Sequence, residues 1–181
     1  LAICDKPDPL DGPFFEETIY RTPSVAPAEV QQRMSEAVSA AIAAVGLHHG
    51  PVHVECRVSG GTVYVLEVAA RPIGGLCSRA LRFRSEDRVV SGGTDAIVSL
   101  EEVLLRHALG EDVSPFAREE AASGVMMIPI PKRGVYRRVG GLEEATRVAG
   151  IEAVRITAKP DTRLVPLPEG SEYLGFIFAQ G

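Results

Sequence analysis

The 181-residue sequence has few cysteines and no long apolar segment. Its three cysteines, Cys4, Cys56 and Cys77, are odd in number and widely spaced, so they fit neither a disulfide framework nor a CxxC metal site. No apolar stretch reaches the ~18 residues of a membrane span, and no basic start followed by an apolar stretch marks a signal peptide. These absences predict a cytoplasmic protein with reduced thiols and no membrane partner.

Positive charge is also scarce. The 19 lysines and arginines are outnumbered by 24 acids, which gives a net charge of −5. No run of five or more basic residues is present to neutralise phosphates, which argues against a nucleic-acid partner. Hydrophobic residues make up 45% and charged residues 24% of the chain, a composition typical of one soluble domain or two small ones.

The predicted elements change from long helices and strands to short strands near residues 111–122. This segment is polar and contains a proline, which predicts a linker. Before it, hydrophobic periodicity predicts strands at 1–4, 14–21, 52–58 and 63–69, and helices at 28–45, 76–83 and 99–109. After it, the predicted elements are short strands at 125–130, 135–138, 153–157, 163–167 and 173–179, and one helix at 141–149. We therefore predict two domains, 1–110 and 123–181.

Both ends of the chain read as strands without partners. The sequence begins with LAIC and stops at YLGFIFAQG. This predicts a fragment of a longer protein, with the second domain truncated at its end. Absent segments or a partner, such as the second copy in a homodimer, would cover the two apolar ends.

The stretch VYVLEVAARPIGG, residues 63–75, places an acid inside an apolar strand and an arginine after it. Because the neighbours of Glu67 are apolar on both faces, we expect a largely buried carboxylate that needs a partner. Glu55 lies on the preceding strand. A three-residue loop at 60–62 would set Glu55 opposite Glu67, whereas a two-residue loop at 60–61 would point the two acids to opposite faces. The glycines permit both loops.

In the first register two carboxylates face each other and repel unless a cation lies between them. Such oxygen ligands suit Mg²⁺, and Arg71 with its glycine turn suits a phosphate. The combination predicts a Mg²⁺-nucleotide site for phosphoryl transfer. The simpler alternatives are a solvated Glu55 paired with Arg57 and a salt bridge between Glu67 and Arg71. A second glycine pair, in SGGTDA at 91–96, is a weaker phosphate candidate.

GPVHVECRVSGGTVYVLEVAARPIGG, residues 50–75, resembles the metal-binding hairpin of the ATP-grasp superfamily. That pattern has an acid on one strand, an acid on the next and an arginine four residues later. The chain is also similar to the L-amino-acid ligase and carnosine-synthase-like branch, from DKPDPLDGPFFEETIY through GLCSRALRF into the C-terminal strands. The resemblance implies an α+β fold: the C-terminal lobe of an ATP-grasp domain, with an antiparallel sheet and helices on one face, and then a small β-rich domain.

The resemblance implies roles for the hairpin residues. Glu55 and Glu67 would bind Mg²⁺. Glu67 and Arg71 would serve the cofactor ATP, and Arg71 would be the catalytic residue that holds the phosphate of an acyl-phosphate intermediate. One position departs from the pattern, because many members carry Asn where this chain has Ala69. A water would replace that ligand, or the second metal would bind less tightly.

The resemblance also implies the substrates. Gly74 and Gly75 would line an amino-acid pocket, and Glu17 with Tyr20 would meet the substrate's ammonium group. The implied reaction is the ATP-dependent joining of a carboxylate and an amine, both of them amino acids in this branch. The alternatives are a carboxylase-type or purine-pathway ATP-grasp ligase, and a non-catalytic ATP-grasp-like binding domain. Complete enzymes of this type also carry an N-terminal domain and a lid with ATP-gripping lysines, so we expect this chain alone to be inactive.

Overall fold

The computed structural model describes residues 2–8, 17–85 and 97–181. The helices are α1 (Ala28–Ala44), α2 (Leu100–Ala108) and α3 (Leu142–Thr146), and a short 3₁₀ helix spans Cys77–Ala80. The strands are β1 (Ile19–Thr22), β2 (His53–Ser59), β3 (Thr62–Ala69), β4 (Arg82–Ser85), β5 (Ile97–Ser99), β6 (Phe116–Arg118), β7 (Ser123–Ile128), β8 (Gly134–Val135), β9 (Ile151–Ile156), β10 (Arg163–Leu164) and β11 (Gly175–Gln180). The SGGTDA motif and the start of the strand predicted at 14–21 lie outside the described residues.

The fold is α+β, and every pairing between the described strands is antiparallel. The chain divides into two compact units: Ser24–Glu119, and the combination of Ala2–Pro23 with Glu120–Gly181. The N-terminal segment groups with the C-terminal strands because β1 pairs with β7. The segment predicted as a linker contains β6, which pairs with β4. The domain limits 1–110 and 123–181 stay a prediction.

The first unit carries the two longer helices. The strands β2 and β3 form a hairpin, and α1 lies against β3. A three-stranded sheet has the order β5-β4-β6, and α2 lies against β4 and β5. Among the described residues of this unit, the buried apolar side chains are Cys77, Ala80, Leu81, Phe83 and Val98. The predicted antiparallel lobe with helices is confirmed, with its strands in a hairpin and a separate sheet.

Both long helices follow their sequence signals. The helix α1 matches the predicted range to within one residue, and Gly46 after it has φ +74°, a left-handed conformation that ends helices. Ser99 precedes α2, and its Oγ accepts a hydrogen bond from the Glu102 N–H at 3.2 Å. The Glu102 carboxylate accepts from Arg106 at 2.8 Å instead of returning to Ser99, so half of the predicted capping box forms.

The second unit is β-rich, as predicted. A four-stranded antiparallel sheet has the order β1-β7-β11-β9, and β8 and β10 form a two-stranded ribbon. Buried apolar side chains alternate along the central strands β7 and β11, as a sheet with one covered face requires. In the described part of this unit, the buried apolar side chains are Val125, Met127, Ile130, Leu164, Phe176 and Phe178.

Two predicted elements of the first half are wrong. Residues 2–4 form no strand; only Asp5 makes an isolated bridge, to Arg21. Pro7 follows two residues later and has no N–H for a ladder. The helix predicted at 76–83 shrinks to the 3₁₀ helix, because residues 82–85 pair with β5 and β6, and tertiary pairing overrides local propensity. Within the described ranges, no helix combines the length and hydrophobicity needed to cross a membrane.

Candidate metal and phosphate hairpin

The β2–β3 hairpin turns through two glycines. Ser59 pairs with Thr62, so the loop consists of Gly60 and Gly61 alone. Their φ angles are +55° and +78°, and a two-residue turn of this kind needs positive φ at both positions. Without any irregularity in the strands, this two-residue loop would point the two acids to opposite faces.

Glu55 nevertheless pairs directly with Glu67. Cys56 pairs with Val65, so Leu66 is an extra residue on β3 and the ladder shifts by one at this point. Such a β-bulge changes which side chains face each other beyond it. Of the two arrangements that the sequence left open, the one with facing acids is present, but the bulge produces it on a two-residue loop instead of the three-residue loop.

The hairpin exposes its second acid. The Glu67 side chain is 54% exposed, and Leu66 beside it is 63% exposed. The prediction of a largely buried carboxylate is therefore wrong. Val63 and Val65 are half-buried while Tyr64 is exposed, which shows that this strand covers only one of its faces. The carboxylate can meet a soluble ligand without a burial cost.

Arg71 lies between the second acid and the glycine turn. Its Nη2 is 4.0 Å from Oε1 of Glu67, and its Nη1 donates to the Pro72 carbonyl at 3.0 Å. A Cβ added to Gly74 would lie 3.8 Å from Nη1, so this glycine is next to the guanidinium. Glu67, Arg71 and Gly74 thus form one continuous exposed strip on the first unit.

A contact that the sequence did not indicate holds the glycine turn in place. The Cys77 N–H donates to the Gly74 carbonyl at 3.0 Å and starts the 3₁₀ helix. Ser78 in that helix donates its hydroxyl to Glu101 of α2 at 2.6 Å. This hydrogen bond is the main cause that lowers the pKa of Glu101 below its ordinary value. The turn beside Arg71 is therefore tied to the first turn of α2.

The donor set of the hairpin fits a hard cation. Mg²⁺ takes oxygen ligands, commonly one or two carboxylates with phosphates and waters. Glu55 and Glu67 offer such oxygens, and Ala69, which pairs with His53, adds no side-chain ligand. In the described parts of the chain, no group of three or more His, Cys, Asp or Glu side chains could hold a metal ion. Phosphate and water would therefore have to complete the coordination.

The two other predicted substrate residues belong to the second unit and contact each other. The Tyr20 hydroxyl donates to Oε2 of Glu17 at 3.1 Å. The same carboxylate oxygen lies 2.5 Å from Nζ of Lys6, for which the sequence predicted no role at this site. Tyr20 is fixed by β1, where it pairs with Val125.

Two known protein-family models match parts of the chain. Residues 1–80 match the model of an ATP-grasp domain, and residues 126–181 match the model of the L-amino acid ligase C-terminal domain 2. The predicted resemblance of the chain to the ATP-grasp superfamily is confirmed over these residues. Its resemblance to the L-amino-acid ligase branch is thereby confirmed. No match was found among curated proteins.

Solved structures show the same ATP-grasp fold. The L-amino acid ligase from Bacillus licheniformis is 29% identical with a TM-score of 0.73, and the match covers 94% of this chain and 40% of that one. Phosphoribosylglycinamide synthetase from Anaerococcus prevotii is 15% identical with a TM-score of 0.64, covering 91% and 40%. N5-carboxyaminoimidazole ribonucleotide synthetase is 13% identical with a TM-score of 0.56, covering 92% and 37%. The last two share the fold alone, and the chain spans less than half the length of each relative.

Proposed function

We propose that this ATP-grasp chain supplies the metal- and phosphate-binding part of a ligase that joins a carboxylate to an amine through an acyl phosphate. The observation that carries the proposal is the register that sets Glu55 opposite Glu67, with Arg71 4.0 Å from Glu67. The two family matches support a ligase of this kind. The 29% identical relative is an L-amino acid ligase, which favours amino acids as substrates.

The proposed reaction has two steps. A carboxylate oxygen of the first substrate bonds to the γ-phosphorus of ATP, and ADP leaves with the electron pair of the broken bond. The ammonium group of the second substrate gives up one proton, its nitrogen then bonds to the acyl carbon, phosphate leaves, and the nitrogen loses a second proton. When held by Glu55 and Glu67, Mg²⁺ supplies positive charge to the phosphates of ATP.

Arg71 supplies a second positive charge in this proposal. Its Nη1 is oriented by the Pro72 carbonyl, whereas its Nη2 lies beyond hydrogen-bonding distance of Glu67. The Nη2 group can therefore donate to an oxygen of the transferring phosphoryl group. The side chain is 54% exposed, so a phosphate can reach it. Preorganised donors of this kind act where charge develops in the transition state.

The substrate residues complete the proposal. Gly74 and Gly75 would let an amino acid approach the backbone beside Arg71, because glycine leaves room there. On the second unit, the Glu17 carboxylate with the Tyr20 hydroxyl would bind the substrate's ammonium group. A cytoplasmic location and a homodimer stay predictions from the sequence.

The test uses the full-length protein and two arginine variants. Arg71→Lys keeps the charge but loses the planar fork, and we expect kcat for phosphate release to fall about 10²- to 10³-fold. The matched control is Arg147→Lys, because Arg147 also forms an exposed pair with a glutamate four residues away, Glu143, at 3.0 Å. We expect the control to retain activity. The assay measures ATP- and Mg²⁺-dependent phosphate release with a panel of amino acids.

The substrate panel also separates the alternatives. Turnover with bicarbonate or a nucleotide precursor, and none with amino acids, would replace the proposal by a carboxylase-type or purine-pathway ligase. Binding of Mg²⁺-ATP without turnover on any substrate would indicate a non-catalytic domain. Equal activity of the Arg71→Lys and Arg147→Lys variants would remove the proposed role of Arg71.

A further inference from the structure

An internal ammonium group already contacts the residues predicted to bind the substrate's ammonium group in the second unit. Nζ of Lys6 lies 2.5 Å from Oε2 of Glu17 and 5.4 Å from the centroid of the Tyr20 ring. The Tyr20 hydroxyl donates to the same carboxylate oxygen at 3.1 Å. We call these three residues the ammonium cluster. The Lys6 and Glu17 side chains are only 22% and 25% exposed, so the pair is largely shielded from water.

The ammonium cluster has the chemistry of a binding site for a primary amine. A carboxylate supplies charge-assisted hydrogen bonding to an ammonium group, and an aromatic face adds a cation–π attraction. Both groups are present around Nζ of Lys6. An amine substrate carries the same –NH₃⁺ group as a lysine side chain. It can therefore make these contacts only when the Lys6 ammonium group has left the site.

The backbone on both sides of Lys6 is fixed independently of its side chain. Asp5 exchanges two backbone hydrogen bonds with Arg21, at 2.7 and 3.0 Å. The Asp8 carboxylate accepts from the backbone N–H groups of Thr18 and Ile19, at 2.6 and 2.9 Å. The lysine side chain is long and flexible. Its ammonium group can therefore leave Glu17 while the local backbone stays in place.

We propose that Lys6 is a resident ligand of the Glu17–Tyr20 site and that the amine substrate binds by displacing it. This inference rests on the proposed function, because it takes the site to be the amine site of the ligase. Lys6 then sets the amine affinity. If Lys6 occupies the site about 90% of the time, the amine binds about tenfold more weakly than it would to an open site.

The chain offers internal references for a direct test. It contains three lysines, and the other two, Lys132 and Lys159, are exposed. Limited acetylation followed by mass spectrometry gives the reactivity of Lys6 relative to both references in one sample. This ratio does not depend on how much reagent an added amine consumes. The probe is ethylammonium chloride, and the control is sodium chloride at the same concentration.

We expect Lys6 to react more slowly than both references in sodium chloride and several-fold faster in ethylammonium chloride. The Glu17→Gln variant should lose this protection and respond equally to the two salts. If ethylammonium and sodium act alike on wild-type Lys6, the displacement is refuted. This readout needs no ATP and no turnover, so it holds or fails separately from the ligase assignment.

Kinetics give a second, independent readout in the full-length protein. Lys6→Met removes the competing ammonium while keeping an unbranched side chain, and we expect KM for the amine to fall about tenfold with kcat little changed. The control Lys159→Met should leave KM unchanged. A Lys6→Met enzyme with an unaltered KM for the amine would show that the lysine pair is only structural.

Discussion

The facing acids predict opposite effects of one substitution in the absence and presence of metal. Glu67→Gln removes one of two like charges that lie directly opposite across a hairpin, a repulsion of about 0.2–1 kcal/mol. It also removes the Arg71 pair, which at 4.0 Å and 54% exposure contributes at most about 0.5 kcal/mol. Without metal, we therefore expect the free energy of unfolding to stay the same or rise by up to about 1 kcal/mol, a Tm change of about 0–4 °C.

With metal and nucleotide the same variant should lose stability relative to wild type. A ligand present at ten times its Kd stabilises the folded state by about 1.4 kcal/mol, or about 3–6 °C in Tm. Wild type should show this shift with MgCl₂ and ADP, and Glu67→Gln should lose most of it. Thermal unfolding at constant ionic strength, with and without both ligands, measures the two effects. The control is Glu144→Gln, an exposed acid of α3 in the second unit.

One result would refute the metal assignment. A Glu67→Gln variant that is more than about 1 kcal/mol less stable without metal, and that keeps the full Mg²⁺-ADP shift, would show that Glu67 is a structural partner of Arg71. Loss of the shift in Glu144→Gln as well would point to a general charge effect.

Two further predictions concern the fold around the site. Gly175→Ala should destabilise the second unit by about 1–3 kcal/mol, because a Cβ there would overlap the Arg155 carbonyl of β9. The control is Gly134→Ala, whose added Cβ would meet open space. Equal midpoints of urea unfolding for the two variants would contradict this prediction. Ser78→Ala should reduce stability at neutral pH, since the Ser78 hydroxyl lowers the pKa of Glu101. The lowered pKa adds stability at pH values above the ordinary glutamate pKa of about 4.3. This added stability is lost as the pH falls through the folded-state pKa, so the stability difference from wild type should shrink in acid. A stability difference that is independent of pH would exclude this coupling.

The helices were predictable because their signals are local. The apolar spacing of α1 and the Ser99 cap of α2 lie within a few residues of the structure they specify. The strands β4, β5 and β6 gave no such signal, since each has only three or four residues and pairs with a distant segment. β6 even lies in the polar stretch predicted as a linker.

The register of the β2–β3 hairpin was only partly predictable from the sequence. The glycine turn was predictable as a turn, but its two-residue form alone would have separated Glu55 from Glu67. The bulge that restores their pairing sits at Leu66, which a hydrophobic pattern assigns to the interior. Its exposure depends on which face α1 covers, and that is tertiary information. The Lys6 contact was hidden for the same reason, because the Glu17 carboxylate and Lys6 are eleven residues apart with prolines between.

The pairing of β1 with β7 has a consequence for the order of folding during synthesis. Tyr20 cannot pair with Val125 until about a hundred more residues have been synthesised. At typical elongation rates this takes about 5–20 s. The β2–β3 hairpin pairs nearby residues and lies wholly between these two strands in the chain. A nascent chain therefore acquires its paired glutamates early. The strand that carries Tyr20 gains its neighbour β7 only after about a hundred more residues have been synthesised.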